Sequence, residues 1–212
     1  MEQRGGTGSV PTAAGLNHMG WADSSGTVGG AVESNMAGRG GVHRRHWDGV
    51  VPPDCAPDPS ILRLSAALQW EEAREPLHAD IDTTKTCGIG PGMAFARAVL
   101  PRLQEDTPGA GTRTGIGLVP CAVGGTAIRE WSRGEHLYEQ MVCRARVAAG
   151  YGEIEAVLWY QGESDAESDA DTGAYLENVE RLIGNVRADL GMPQLPFIQV
   201  IVLFLLLTLL LR

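Results

Sequence analysis

Three short stretches of the chain bring together residue types that suit acyl transfer. Residues 33–41 set Ser34 at the head of a glycine-rich run that also carries Arg39. Residues 123–131 hold Gly124 and Gly125 directly after an apolar run, and residues 159–165 hold Gln161 and Glu163. A serine hydroxyl becomes a nucleophile once a base takes its proton. Glycines let the backbone approach a ligand and aim its N–H groups, and Gln161 offers a neutral side-chain donor. A nucleophile beside convergent donors is the composition of an oxyanion-stabilising site. Each residue also has an ordinary reading. A serine in a glycine-rich loop is commonly a turn residue, and a glutamine at a strand end is commonly a satisfied polar group.

Such residues need elements to hold them. The run around residues 118–123 reads as a buried strand feeding the tight Gly124-Gly125 turn, and residues 155–161 read as a second buried strand. A third begins near Pro196. A helix starts at Pro91, because proline suits a first helical turn. Residues 136–149 form a helix that Gly150 stops. The clearest helix spans 171–190, where Tyr175, Leu176, Val179, Leu182, Ile183, Val186 and Leu190 recur at helical spacing. Asp171 or Thr172 can cap it, and Gly191 with Pro193 closes it. Strand, helix, strand, helix, strand argues an α/β sandwich with a parallel sheet. In such sheets function gathers at the carboxyl ends of the strands, which is where the three stretches are expected to fall.

The chain has 212 residues, of which 43% are hydrophobic and 20% charged, as expected of one globular domain. Residues 1–30 read as a Gly/Ser/Thr-rich disordered leader and residues 201–212 as an apolar tail, with the domain at 31–200. The net charge of −9 argues against nucleic acid as a partner. Cys55, Cys87, Cys121 and Cys143 form no C-x-x-C pair, and no apolar signal segment precedes them. The expected setting is reduced and intracellular. Residues 197–211 are apolar except for Gln199 and Thr208, which is shorter than the roughly 17–25 residues of a spanning helix. A strand with surplus apolar residues is the favoured reading of that run, and membrane contact the lesser one.

Taken together, the three stretches resemble the sialate O-acetylesterase-like domain of the SGNH hydrolase superfamily, in particular its plant carbohydrate esterases. Ser34-Asn-Met-Ala-Gly-Arg-Gly-Gly41 matches the later part of that family's nucleophile block. Gly124-Gly-Thr-Ala-Ile-Arg-Glu-Trp131 matches a second block, and Trp159-Tyr-Gln-Gly-Glu-Ser-Asp165 matches a third in full. Residues 47–53, 75–82 and 88–93 are similar as well. The resemblance implies a three-layer α/β/α fold (flavodoxin-like, with a parallel sheet) and hydrolysis of O-acetyl esters on carbohydrates without metal or organic cofactor. It implies Ser34 as nucleophile. It implies an oxyanion hole from the Ser34 N–H, the N–H of Gly125 or Gly124, and the Gln161 side chain. Glu163 and Arg39 would support the site.

Two features depart from the family. Its catalytic Asp and His stand together in a late D-x-x-H block, which no part of the 212 residues supplies. Glu33 stands where the family has Gln, after a glycine-rich stretch that makes a poor strand. A domain incomplete at its C-terminus is the expectation, as a truncated or alternatively spliced product. His43 and His46 follow the Ser34 block and could approach it, but a loose loop rarely holds triad geometry. The acids Glu163, Asp165, Glu167, Asp169 and Asp171 read as a helix N-terminal cluster rather than a calcium loop. Arg129 and Trp131 could line a sugar site or simply pack, and Arg144 and Arg146 read as a solvated helix face.

Overall fold

The computed structural model describes residues 49–105 and 115–200. In chain order these hold β1 (Ile61–Leu64), β2 (Trp70–Glu72), α1 (Pro91–Glu105), β3 (Ile116–Leu118), α2 (His136–Ala149), β4 (Val157–Tyr160), α3 (Asp169–Leu190) and β5 (Phe197–Val200), with short 3-10 turns between. The leader, the Ser34 block and the apolar tail lie outside the described residues.

Parallel pairing, expected of the strands read at β3, β4 and β5, is seen between β4 and β5 and between β3 and β1, a strand the sequence pattern had not marked. β1 runs parallel to β3, with Ile61 opposite Ile116, and β4 runs parallel to β5, with Val157 opposite Phe197. One antiparallel strand is added: β2 folds back on β1 with Leu64 opposite Trp70. The β1–β2 hairpin was not foreseen. It is short, and its turn holds Leu68 at φ 59°, a left-handed conformation that sequence patterns do not assign to leucine.

The strand boundaries shift for local reasons. The run expected as a strand over 118–123 is paired only over Ile116–Leu118. Pro120 has no N–H to give a ladder, so residues 119–122 leave the sheet as buried irregular chain and half-buried Val123 leads into the Gly124-Gly125 turn. α3 starts at Asp169 rather than Asp171, because Ser168 is the N-cap: its side chain accepts the Asp171 N–H. Thr172 instead donates its hydroxyl to the Asp165 carbonyl at 2.9 Å. Gly191 closes α3 at φ 68°, with Met192 N–H reaching Arg187 O at 2.8 Å.

The core is continuous from Ile61, Leu64 and Met93 through Leu118, Trp131 and Tyr138 to Leu158, Val179 and Val186. α2 and α3 lie together and are clasped at the surface. Arg133 and Tyr138 both bond the Asp189 carboxylate, and Arg146 donates to the Asp189 carbonyl at 2.9 Å. Arg144, expected on a solvated face, is buried. It donates to the carbonyls of Leu64 at 2.6 Å, Ser65 at 3.0 Å and Pro120 at 3.0 Å. It thereby ties the carboxyl ends of β1 and β3 to α2.

Candidate active site

The loop after β3 and the loop after β4 are joined by a buried polar network. Asp165, 1% exposed, accepts the Ile128 N–H on both carboxylate oxygens, at 3.1 and 3.0 Å. It also accepts from Gln161 Nε2 at 2.6 Å, while the second Nε2 hydrogen goes to Thr126 O at 2.9 Å. Tyr175 from α3 donates to the Gln161 carbonyl at 2.7 Å. Trp131 donates its indole N–H to Thr126 Oγ1 at 3.1 Å, and that hydroxyl donates to Val123 O at 2.8 Å. Desolvation by burial raises the Asp165 pKa above the usual carboxylate value, although the Gln161 and Ile128 donors pull it the other way.

This network sets the Gln161 amide. Both hydrogens of Nε2 are engaged, and Oε1 is buried with no hydrogen-bond partner among the described residues. Turning the amide over would set Oε1 against a carboxylate and a carbonyl, so its orientation is fixed. Glu163 is half-buried in the turn that follows, where its carbonyl accepts the Ala166 N–H at 3.2 Å.

The Gly124-Gly125 turn is held from a segment that sequence reasoning had not placed in the site. Asp82, buried, accepts the Gly124 N–H on Oδ2 at 3.0 Å, and its other oxygen takes the Thr84 hydroxyl at 3.0 Å. Lys85 Nζ donates to Gly124 O. Gly125 sits at φ 71°, and a Cβ there would lie 2.7 Å from Lys85 Nζ. Asp82 closes a stretch whose family-like sequence, residues 75–82, was the available signal. Lys85 carried none.

Other expectations resolve individually. Trp131 packs edge-on against Trp159, with ring centroids 5.4 Å apart, so it is a core residue. Arg129 is exposed and pairs with Asp171 at 3.1 Å. Asp165 and Asp171 thus have separate protein partners, and among the described residues no cluster of three His, Cys, Asp or Glu side chains is arranged to hold a metal. Two histidines are described. His136 opens α2. His78 has its Nε2 buried without a partner among the described residues, and its pKa is lowered to about 4 by burial and by the charges of Arg63 and Arg144. Ser34, Arg39, His18, His43 and His46 lie outside the described residues. So does the tail, and no described helix is long and apolar enough to cross a membrane.

Comparison with known proteins gives a consistent result. Residues 31–204 match the family described as carbohydrate esterase, sialic acid-specific acetylesterase. A probable carbohydrate esterase of Arabidopsis thaliana is 59% identical over 175 residues, covering 79% of this chain and 65% of the relative. The chain therefore spans somewhat under two thirds of that protein's length. The X-ray structure of a protein from the same Arabidopsis locus matches with a TM-score of 0.72 at 52% identity, over 89% of this chain and 75% of that one. The crystal structure of NanS matches with a TM-score of 0.63 at 19% identity, over 89% of this chain and 67% of that one, a likeness of fold. The α/β fold expected from the sequence is borne out.

Proposed function

The chain belongs to the carbohydrate esterase family of sialic acid-specific acetylesterases, and from that premise we propose that its site is built to remove O-acetyl groups from carbohydrates by way of Ser34. One observation carries this reading. Two of the three family-like stretches, far apart in sequence, meet through the Gln161–Thr126 and Asp165–Ile128 bonds. That junction lies at the carboxyl ends of β3 and β4, the expected place for a site in this kind of fold.

In the proposed reaction the Ser34 oxygen attacks the acetyl carbonyl carbon as its proton passes to a base. The carbonyl oxygen becomes an oxyanion facing the Ser34 and Gly125 N–H groups. Collapse expels the sugar oxygen, which takes the proton, and leaves an acetyl-serine. Water then attacks that ester and releases acetate, restoring the serine. Gln161 would join as a donor by exchanging Thr126 O, its longer partner, for the oxyanion. Glu163 and Arg39 would support the loops.

The test is hydrolysis of p-nitrophenyl acetate by the purified protein beside Ser34→Ala. Turnover by the parent that the variant lacks supports the reading. Equal background from both, with a folded circular dichroism spectrum, rejects it. A second reading is a protein that binds acetylated sugar without turnover, or sits at a membrane through its tail. It is favoured by the Gln161 amide, whose two hydrogens are already engaged by Asp165 and Thr126. Saturable binding of an acetylated sugar without ester cleavage would support its first form. Detergent-dependent solubility lost on deleting residues 201–212 would support its second.

A further inference from the structure

The loop that follows His78 touches the Gly124 residue on both sides. Asp82 accepts the Gly124 N–H at 3.0 Å, and Lys85 donates to the Gly124 carbonyl. These two bonds act on different peptide planes. The Gly124 N–H belongs to the plane shared with Val123. The Gly124 carbonyl belongs to the plane shared with Gly125.

Two consequences follow from elementary geometry. The Gly124 N–H already has an acceptor, so of the two glycines Gly125 is the one with a donor to offer. Among the described residues nothing accepts the Gly125 N–H. The peptide between the two is trans, since the one cis bond of the described chain is Glu75–Pro76. In a planar trans peptide the C=O and the N–H point in opposite directions. Fixing the Gly124 carbonyl on Lys85 therefore fixes the Gly125 N–H toward the other side. A cation on the carbonyl oxygen also polarises the amide and strengthens its N–H as a donor. Gly125 has no side chain; a Cβ there would lie 2.7 Å from Lys85 Nζ, and the ammonium would have to shift away from the place it holds.

We infer that Lys85, assisted by Asp82, is a positioning residue that aims the Gly125 N–H at the substrate oxyanion; this rests on the esterase reading of the site. Lys85 touches no reacting atom. It acts through the peptide plane it holds, and its effect belongs to the transition state rather than to substrate binding.

The experiment measures kcat and KM for p-nitrophenyl acetate with the full chain, its Ser34→Ala control, Lys85→Met and Lys85→Arg. Lys85 is exposed, so both variants should fold, which matched thermal melts check. Lys85→Met should lower kcat about tenfold or more, a fraction of the loss on deleting a whole oxyanion donor, and leave KM within about twofold. Lys85→Arg, which keeps a charged donor, should recover most of kcat. In 15N–1H spectra the Gly125 amide resonance should move in Lys85→Met and stay near its place in Lys85→Arg. Ser34-dependent turnover with unchanged kcat in Lys85→Met overturns the positioning role alone. So does an equal loss in both variants with the Gly125 resonance unmoved. Absence of Ser34-dependent turnover in the parent overturns the esterase reading, and the role of Lys85 with it.

Discussion

Gln161 Nε2 lies 2.6 Å from Asp165 Oδ2, and together with its bond to Thr126 O this contact fixes which way the amide is turned. Asp165 holds more than Gln161. The same carboxylate carries the Ile128 N–H, so it fastens the loop after β3 to the loop after β4. Asp165→Ala leaves the Ile128 N–H and one Gln161 hydrogen without acceptors in a dry place. It should cost about 2–3 kcal/mol of stability, read from urea unfolding midpoints. Asp165→Asn keeps one acceptor oxygen and should cost clearly less.

Arg144 should be among the most sensitive arginines of the described chain. Its guanidinium serves three carbonyls, those of Leu64, Ser65 and Pro120. Arg144→Met would fill similar space and take the donor from all three, leaving Ser65 O with only the Leu68 N–H, for an expected loss of about 2–3 kcal/mol. Arg146→Met, at an exposed position of the same helix with one bond to the Asp189 carbonyl, should lose under about 1 kcal/mol. Guanidinium chloride unfolding of the two variants side by side checks the contrast.

Glu75 and His78 should oppose each other in the pH dependence of stability. Burial raises the Glu75 carboxyl from 4.5 to about 7. The folded state thus binds more protons than the unfolded one in that window, and this group makes stability fall as pH rises through it. Burial lowers His78 from 6.5 to about 4. Here the unfolded state binds more protons, and stability rises with pH across that window. The two slopes largely cancel where the windows overlap. Glu75→Gln should expose the rising limb and His78→Gln the falling one, seen as opposite trends in urea midpoints between about pH 4 and about pH 7. Parallel trends in the two variants would contradict the assignment.

Gly125→Ala should be costly to activity beyond its effect on stability. The backbone there has φ 71°, and the new methyl would displace the Lys85 ammonium. The strain is worth about 1–2 kcal/mol. Because both changes disturb one peptide plane, Gly125→Ala and Lys85→Met should be strongly non-additive in kcat when combined. A double-mutant cycle with additive losses would separate them.

Much of this arrangement was legible in the sequence, and the exceptions have physical causes. α2 was read at its observed ends, because its apolar spacing is regular and Gly150 follows it. α3 was read two residues short. Ser168, not an acid, satisfies its first turn, and serine in an acidic stretch gives a faint signal. The strand before Gly124 was placed too late, since its apolar run continues past Pro120 while its ladder does not. Arg144 looked solvated because its partners are carbonyls, which carry no side-chain signature. Of the site, Gly124, Gly125, Gln161 and Glu163 stood out by type and neighbourhood. Asp82 and Lys85 did not, because a residue that works by holding someone else's backbone leaves no mark in composition or spacing.

The described strand ladders fall into two groups, β2-β1-β3 and β4-β5, and the bonds of Asp165 and Gln161 stitch one group to the other. Among the described residues the candidate site therefore lies on a seam between the two groups. Partial opening along a seam is less demanding than opening a ladder, and amide exchange should show the two groups as separate cooperative blocks. A molecule lodged at the junction would act as a suture. Its binding should slow exchange in β3 and β4 together, including at amides it never touches.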